Sequence, residues 1–250
     1  MRESREPASR ADHEIKHGEW LALHDTEAIW GWGTPAGQLR AKRRSDLIVS
    51  GGQLGPGKRA LEIGCGTGNF TALLAESGAN IVAVDISPDL LDRARTRGLP
   101  PGRVVFLRKR FEDCDIDGPF DAVIGSSILH HLDVTAALPL ILRLLKPGGW
   151  FSFAEPNYLN PQVFLERKLR FLPCFQYTSP DETAFVRWSF ARQLRAAGLI
   201  DVSIVPFDWL HPRVPPRGLD AVLKLGAIIE RTPALREFSG SLYIQARHPQ

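Results

Sequence analysis

Three glycines within five residues, in Leu61-Glu62-Ile63-Gly64-Cys65-Gly66-Thr67-Gly68-Asn69-Phe70, set the first constraint on what this chain binds. Glycine is needed where a strand turns sharply into a helix, because a Cβ blocks both the turn and the approach of a ligand to the backbone. A dinucleotide fingerprint requires glycine at the sixth position of G-x-G-x-x-G, where this chain has Asn69, which disfavours a nicotinamide-dependent dehydrogenase. A phosphate-cradling Walker loop fails too, since no Gly-Lys-Ser/Thr follows. The loop suits a ligand without phosphates, with amino-acid and nucleoside parts lying along strand ends. Asp85 comes 21 residues after Gly64 and ends the apolar run Val82-Ala83-Val84. A carboxylate there can accept both hydroxyls of a ribose.

A second group of chemistry-bearing residues follows the apolar run Ala122–Ile124. His130 and His131 fall where the mouth of a crevice is expected, and imidazole titrates near neutral pH, so either is a candidate general base, His130 first. The other reading is that both merely cap and pack the following helix. Glu155, Asn157 and Tyr158 come next at the mouth, while Trp30, Trp32 and Tyr177 are candidates for an apolar acceptor pocket or for packing within a cover. Trp209 and His211, beside Pro212, read as structural. His13-Glu14-Ile15-Lys16-His17 satisfies H-E-x-x-H, the pattern of a zinc hydrolase. Gly18 follows at once, the surroundings are polar and no third ligand is evident, so no metal is expected and His13/Glu14/His17 stands as a lesser alternative.

The elements that must position these residues alternate. Short apolar runs at Ala60–Ile63, Ile81–Val84, Val104–Leu107, Ala122–Ile124 and Trp150–Ala154 read as strands. Between them lie helical patterns at Phe70–Glu76, at Asp89–Arg97 behind a Ser87-Pro88 start, and at Val134–Leu145, the last stopped by Lys146-Pro147-Gly148-Gly149. This βαβ rhythm predicts an α/β, doubly wound, mostly parallel sheet buried on both faces, with right-handed crossovers and a ligand crevice at the carboxyl ends of its strands. Ahead of it, residues 1–50 form an N-terminal helical segment, periodic from about Ile15 to Ser50 and broken at Gly31-Trp32-Gly33-Thr34-Pro35, expected to contribute to the cover of the site. Residues 51–250 form the binding domain. Within it the rhythm breaks at about 156–186, where Tyr158, Phe164, Phe171, Phe175, Tyr177 and Phe185 alternate with Arg167, Lys168 and Arg170, read as a lid insertion. A helix at Arg187–Ala197, a strand at Val202–Phe207, a helix at 217–230 and a strand at Leu242–Ala246 complete the chain.

At 250 residues, 44% hydrophobic and 24% charged, the chain has the make-up of an ordinary globular domain. The net charge of +3 is small, and the clusters Lys42-Arg43-Arg44 and Arg108-Lys109-Arg110 read as solvated surface rather than a nucleic-acid or membrane patch. Three scattered cysteines, Cys65, Cys114 and Cys174, give neither a disulfide framework nor metal spacing. The polar start lacks a signal-peptide core, and no apolar run reaches the roughly 20 residues that span a bilayer. A cytoplasmic protein without stable membrane insertion is expected.

The glycine loop with Asp85, then Phe120-Asp121-Ala122-Val123-Ile124-Gly125-Ser126-Ser127-Ile128-Leu129-His130-His131-Leu132, then Leu144-Leu145-Lys146-Pro147-Gly148-Gly149-Trp150-Phe151, resemble the ordered motifs of class I S-adenosylmethionine-dependent methyltransferases over about residues 55–155. The resemblance implies a seven-stranded sheet whose last strand is antiparallel, S-adenosylmethionine as cofactor, and methyl transfer to a small-molecule acceptor through O, N or C. By position it implies that Glu62 and the backbone of Gly64, Cys65, Gly66 and Gly68 hold the methionine part. Asp85 would hold the ribose, Ile86 would pack on the adenine, Phe111 and Glu112 would border it, and the Ser126 backbone would meet the ammonium. Arg110 stands where the family often carries an acid facing the adenine amino group, so Glu112, Asp113 or backbone must serve instead. Nucleic-acid methyltransferases of this fold usually carry D/N-P-P-Y/F after the fourth strand, and Ser126-Ser127-Ile128-Leu129 stands there, so no nucleic-acid partner is expected; oligomeric state is open. The competing reading is a non-catalytic domain that binds the cofactor and serves as a partner or scaffold.

Overall fold

The computed structural model describes residues 10–113, 115–169, 179 and 181–250. The strands are β1 (Arg59–Ile63), β2 (Asn80–Asp85), β3 (Val104–Arg108), β4 (Phe120–Ser126), β5 (Leu145–Pro156), β6 (Ile200–Phe207) and β7 (Ser241–Arg247). They form one sheet in the order β3-β2-β1-β4-β5-β7-β6. β1 to β5 pair in parallel, and β7 runs antiparallel to β5 and β6. The expected architecture is therefore present, antiparallel last strand included. Strand order reverses between β1 and β4, and the carboxyl ends of these two open the crevice.

Side-chain alternation builds two cores, one on each face of the sheet. Leu61 and Ile63 of β1 join Val123, Phe151 and Phe153 against Leu138 and Ile141 of α6 (Val134–Leu144) and Phe190 and Leu194 of α8 (Arg187–Ala196). Ala60, Ala122, Ile124 and Ala154 face the other way, meeting Ile48 of α3 (Pro35–Gly51), Leu74 of α4 (Asn69–Ala75) and Leu91 of α5 (Pro88–Arg95). Each fully buried Leu, Ile or Phe contributes roughly 1.5–3 kcal/mol over its exposed state.

The N-terminal segment is three helices, α1 (Arg10–Ala22), α2 (Thr26–Trp30) and α3, rather than one interrupted pattern. Gly31, at φ +73°, closes α2, and Thr34 caps α3 through its hydroxyl with Pro35 next in line. The stop expected at Lys146-Pro147-Gly148-Gly149 lies inside β5: Phe120 pairs with Leu145 and Ala122 with Trp150, so the surplus residues bulge within the ladder. The insertion carries a helix the aromatic pattern concealed, α7 (Pro161–Lys168), capped by Asn160. Beyond it lie α9 (Leu219–Arg231) and α10 (Pro233–Arg236). Phe171, Phe175, Tyr177, Cys114 and Cys174 lie outside the described residues.

Candidate active site

A cleft of about 1200 Å³ lies at the carboxyl ends of β1, β2 and β4, walled by α1, the α2–α3 turn and α7. The glycine loop forms one end. Gly64 sits at φ +66°, and a Cβ there would lie 2.3 Å from Ile128 Cδ1, so the position admits only glycine. Gly68, at φ +74°, is the N-cap of α4, and its bare face meets Ala94 of α5. Gly68 therefore packs α4 on α5 and does not line the cleft, whereas Gly64, Cys65 and Gly66 do. Burial pushes the Cys65 thiol well above its ordinary value, leaving a neutral, unreactive group.

Asp85 stands across from the loop. Its Oδ2 accepts from Gly66 N at 2.7 Å and its Oδ1 from Ser87 N at 2.9 Å. Each carboxylate oxygen keeps a free lone pair for a further donor, such as a ribose hydroxyl. Ile86, Phe111, Glu112 and Ser126 also line the cleft. Arg110 lines it as well, with Nε 3.5 Å from Glu112 Oε2, while Asp113 pairs with Arg110 but is not in the lining. Of the two acids that could replace the family's usual one, only Glu112 faces the cleft.

Two buried ionisable groups flank this end. Glu62 is 1% exposed, and its Oε2 has no hydrogen-bond partner. Burial raises its carboxyl to about 7, and the Asp85 charge adds to the rise. Glu62 does not line the cleft, contrary to expectation; it sits in β1 just ahead of the loop.

The second charge is Arg44 of α3. It is 3% exposed, yet it lines the cleft. Its Nη1 donates to Ser126 Oγ at 3.2 Å and Ser127 Oγ at 3.0 Å, and its Nη2 donates to Ser241 Oγ. No carboxylate pairs with it among the described residues, its Nε has no partner, and burial lowers it to about 10. The reading of Lys42-Arg43-Arg44 as solvated surface is thus wrong for Arg44. The signal was present: Ala41, Arg44, Ser45 and Ile48 follow the spacing of the buried stripe of α3, and Arg44 falls on it. A buried acid with one unpartnered oxygen in β1 and a buried guanidinium without a carboxylate beside Ser126 complement the ammonium and carboxylate of an amino-acid moiety. The residues present fit S-adenosylmethionine.

The other end of the cleft is built on His130 and His131. His130 Nδ1 and Glu155 Oε2 share a hydrogen bond at 2.7 Å, and Glu155 Oε1 accepts from Ile128 N at 3.0 Å and Leu129 N at 2.9 Å. Burial raises Glu155 to about 7 despite these bonds, and burial pushes His130 well below the usual imidazole range. With Nδ1 committed, His130 turns Nε2 toward Glu182 Oε2, 4.0 Å away. His131 Nδ1 lies 2.9 Å from Glu14 Oε2; burial acts to lower this imidazole, but Glu14 and Glu182 outweigh it and the net shift is upward. Glu182 also pairs with Arg167 of α7 at 2.8 Å. Glu14, His17, Arg167 and Glu182 all line the cleft, and only their fold neighbours reveal it.

Several expected mouth residues are elsewhere. Glu155 is fully buried behind His130 and does not line the cleft. Asn157 is 1% exposed and is consumed in donating to the carbonyls of Glu237 and Ser239, both at 2.8 Å, which ties β5 to the turn before β7. Tyr158 stacks edge-on with Phe164 and opens on a separate, smaller pocket. Trp30 and Trp32 do line the cleft, Trp32 beneath the guanidiniums of Arg40 and Arg44 at 5.1 and 5.5 Å. Trp209 and His211, read as structural, line it too. Tyr177 lies outside the described residues. His13 is turned to Asp181 at 2.6 Å, so the H-E-x-x-H histidines do not converge.

The family described as "Methyltransferase domain" matches residues 61–151. A ubiquinone biosynthesis O-methyltransferase of Xylella fastidiosa (strain M23) is 33% identical over 184 residues, covering 68% of this chain and 73% of the relative. Its counterpart from strain 9a5c is 35% identical over 153 residues, 57% of this chain and 61% of the relative, so this match spans about three fifths of that protein's length. Among solved structures, the N-methyltransferase NodS from Bradyrhizobium japonicum in complex with S-adenosyl-L-homocysteine has a TM-score of 0.63 at 18% identity, covering 96% of this chain and all of that one. That similarity is one of fold. No helix among the described residues is long and apolar enough to cross a membrane.

Proposed function

Since this chain belongs to the class I S-adenosylmethionine-dependent methyltransferases, we propose that it transfers a methyl group from that cofactor to the hydroxyl of a small molecule bound at the His130–His131 end of the cleft. The observation that carries the reading is a single cleft with two unlike ends, a glycine loop facing Asp85 and a carboxylate-backed histidine pair. A hydroxyl acceptor is supported by that pair, which suits an acceptor that must lose a proton, and by the name of the Xylella fastidiosa relatives.

Bound at the loop, S-adenosylmethionine supplies a methyl made electrophilic by its sulfonium. The chain's own residues orient and protect. Asp85 accepts from the ribose hydroxyls with its free lone pairs, and Ile86, Phe111 and Glu112 border the adenine. The Ser126 backbone meets the ammonium, Glu62 adds a negative charge beneath it, and Arg44 meets the carboxylate. Trp30 and Trp32 wall the acceptor space. The division into an N-terminal segment of residues 1–50 contributing to the cover of the site and a binding domain of residues 51–250 with a lid insertion at about 156–186 is supported by α1, the α2–α3 turn and α7, which all reach the cleft. Alignment of acceptor and methyl supplies the main acceleration, and removal of the acceptor proton at the histidine end adds typically about 10²–10⁴-fold. A walled cleft suits a small molecule rather than a nucleic acid, and the setting we infer is the cytoplasm.

The test is methyl-labelled S-adenosylmethionine incubated with the purified protein and a panel of phenols, amines and carbon acids. The expected result is label on a hydroxyl acceptor with release of the demethylated cofactor, lowered about 10–100-fold in Asp85→Asn at sub-saturating cofactor. Calorimetric binding of the cofactor with no transfer to any acceptor class defeats the proposal in favour of a non-catalytic binding domain.

A further inference from the structure

We propose that His130, His131 and Glu182 hold a divalent transition-metal ion at the acceptor end of the cleft. What the ion does for the reaction rests on the methyltransferase reading above; whether it binds does not.

The geometry begins with three donor atoms, one from each residue, all within 4.8 Å of one another. His130 Nε2 and Glu182 Oε2 are 4.0 Å apart. A metal bonded at roughly 2.0–2.2 Å brings such donors to about 3.3 Å from each other in a tetrahedral site. Closing the His130–Glu182 pair takes about 0.7 Å, and no pair needs more than about 1.5 Å.

The second observation lies behind the donors. A metal-ligating histidine almost always has its other ring nitrogen on a carboxylate, which fixes the ring and raises its basicity. His130 is placed this way, its Nδ1 2.7 Å from Glu155 Oε2, while His131 Nδ1 lies 2.9 Å from Glu14 Oε2 as an ion-pair contact without hydrogen-bond alignment. The carboxylates are held in turn, Glu155 by the Ile128 and Leu129 amides and Glu14 by the Ser179 hydroxyl at 2.6 Å. The chain thus sets a carboxylate behind each ring and turns His130 Nε2 toward Glu182.

Charge agrees. Glu14, Glu155 and Glu182 surround the pair; against them, among the described residues, the Arg44 charge acts on Glu155 and Arg167 lies 2.8 Å from Glu182 Oε2. That contact takes one lone pair of the oxygen and leaves the other for a metal. Two imidazoles and one carboxylate select Zn²⁺, Fe²⁺, Co²⁺ or Mn²⁺ over Mg²⁺ and Ca²⁺, which prefer all-oxygen shells. Three protein ligands leave coordination positions open, and they open on the cleft because all three residues line it.

The H-E-x-x-H pattern enters here in altered form. His13 is spent on Asp181, so the spacing does not make a zinc pair, yet Glu14 backs His131. An acceptor hydroxyl in an open position becomes more acidic, as metal-bound water does. Its proton leaves to solvent, its oxygen bonds the methyl carbon, and the carbon–sulfur bond breaks with both electrons going to sulfur.

The test uses full-length protein freed of metal by chelator and dialysis. It is titrated with Zn²⁺ by calorimetry and with Co²⁺ by visible absorption, alongside Glu182→Gln, His131→Gln and Glu155→Gln. Calorimetric affinity for the cofactor, measured without metal, reports whether each variant is folded. The expected result is one ion per chain, with affinity at least tenfold lower in Glu182→Gln and His131→Gln. Loss of an outer support in Glu155→Gln should weaken it about 10–100-fold. No saturable binding near one ion per chain in the unaltered protein overturns the proposal, as does unchanged affinity in folded Glu182→Gln and His131→Gln. Metal binding without methyl transfer would retire the function and leave the site standing; transfer undiminished in metal-free protein would overturn the ion's part in the reaction and leave the function standing.

Discussion

Replacing Glu62 with Gln should flatten a slope in the pH dependence of stability. Glu62 is enclosed in β1 with one oxygen unpartnered, and its carboxyl is raised from an ordinary 4.5 to about 7. The folded state then holds a proton that the unfolded state releases between these values. The stability this gives is present in full below the unfolded value and is lost as pH rises through the folded one. Integrating the linkage from pH 5 to pH 8 gives a loss of about 2.5 kcal/mol. Glutamine has the shape of the protonated acid and no charge, so the variant lacks this component. Glu155, also raised to about 7, has the same slope in both proteins and cancels in the difference. The assay is urea unfolding of both proteins at pH 5, 6, 7 and 8, without and with saturating S-adenosylhomocysteine. The stability of the unaltered protein relative to the variant should fall by about 2.5 kcal/mol across the range without ligand. It should fall less with ligand, because the bound ammonium favours the ionised acid. A difference that stays flat from pH 5 to 8 refutes the argument that burial holds a proton on Glu62.

Gly64→Ala forces a left-handed backbone on a residue with a Cβ, which costs roughly 1–2 kcal/mol, and sets that Cβ 2.3 Å from Ile128. Its melting temperature should drop several degrees and cofactor binding should fail, while Gly55→Ala, in open space, should change neither. Arg44→Met removes a buried cation that has no carboxylate partner among the described residues. The ligand-free protein should melt no lower, since an apolar replacement of a buried charge is often neutral or stabilising, while cofactor affinity falls about 10–100-fold with one charged hydrogen bond. Unchanged affinity would remove Arg44 from the cofactor site. Asp85→Asn keeps an acceptor for one backbone amide but loses the charge facing the ribose. Calorimetry should find binding about 10–100-fold weaker, with a melting-temperature change of only a few degrees; an unaltered dissociation constant counts against the ribose assignment.

The parallel strands, the glycine loop and Asp85 were legible in the chain because each depends on residues adjacent in sequence. Period-two apolar runs bounded by turns determine strands, and a backbone that must go left-handed at 64 and 68 determines glycine. His130 and His131 could be placed at the mouth for the same reason: they follow a strand whose end is a crevice in this topology. What neighbours each of them was not legible. Glu155 looked like a mouth residue and is a buried support, because two amides of the turn after β4 claim its Oε1. Asn157 looked available and is tied to the turn before β7. Arg44 looked solvated beside Lys42 and Arg43, and helix phase alone could have placed it on the buried stripe.

Glu14 and Glu182 stand 168 residues apart and meet around the histidine pair only when α1 and the insertion close over the sheet. Sequence by itself determined the scaffold and the cofactor end, where local backbone geometry dictates residue type. Tertiary structure alone decided what surrounds His130 and His131, because burial and charge pairing there come from segments that no local pattern connects.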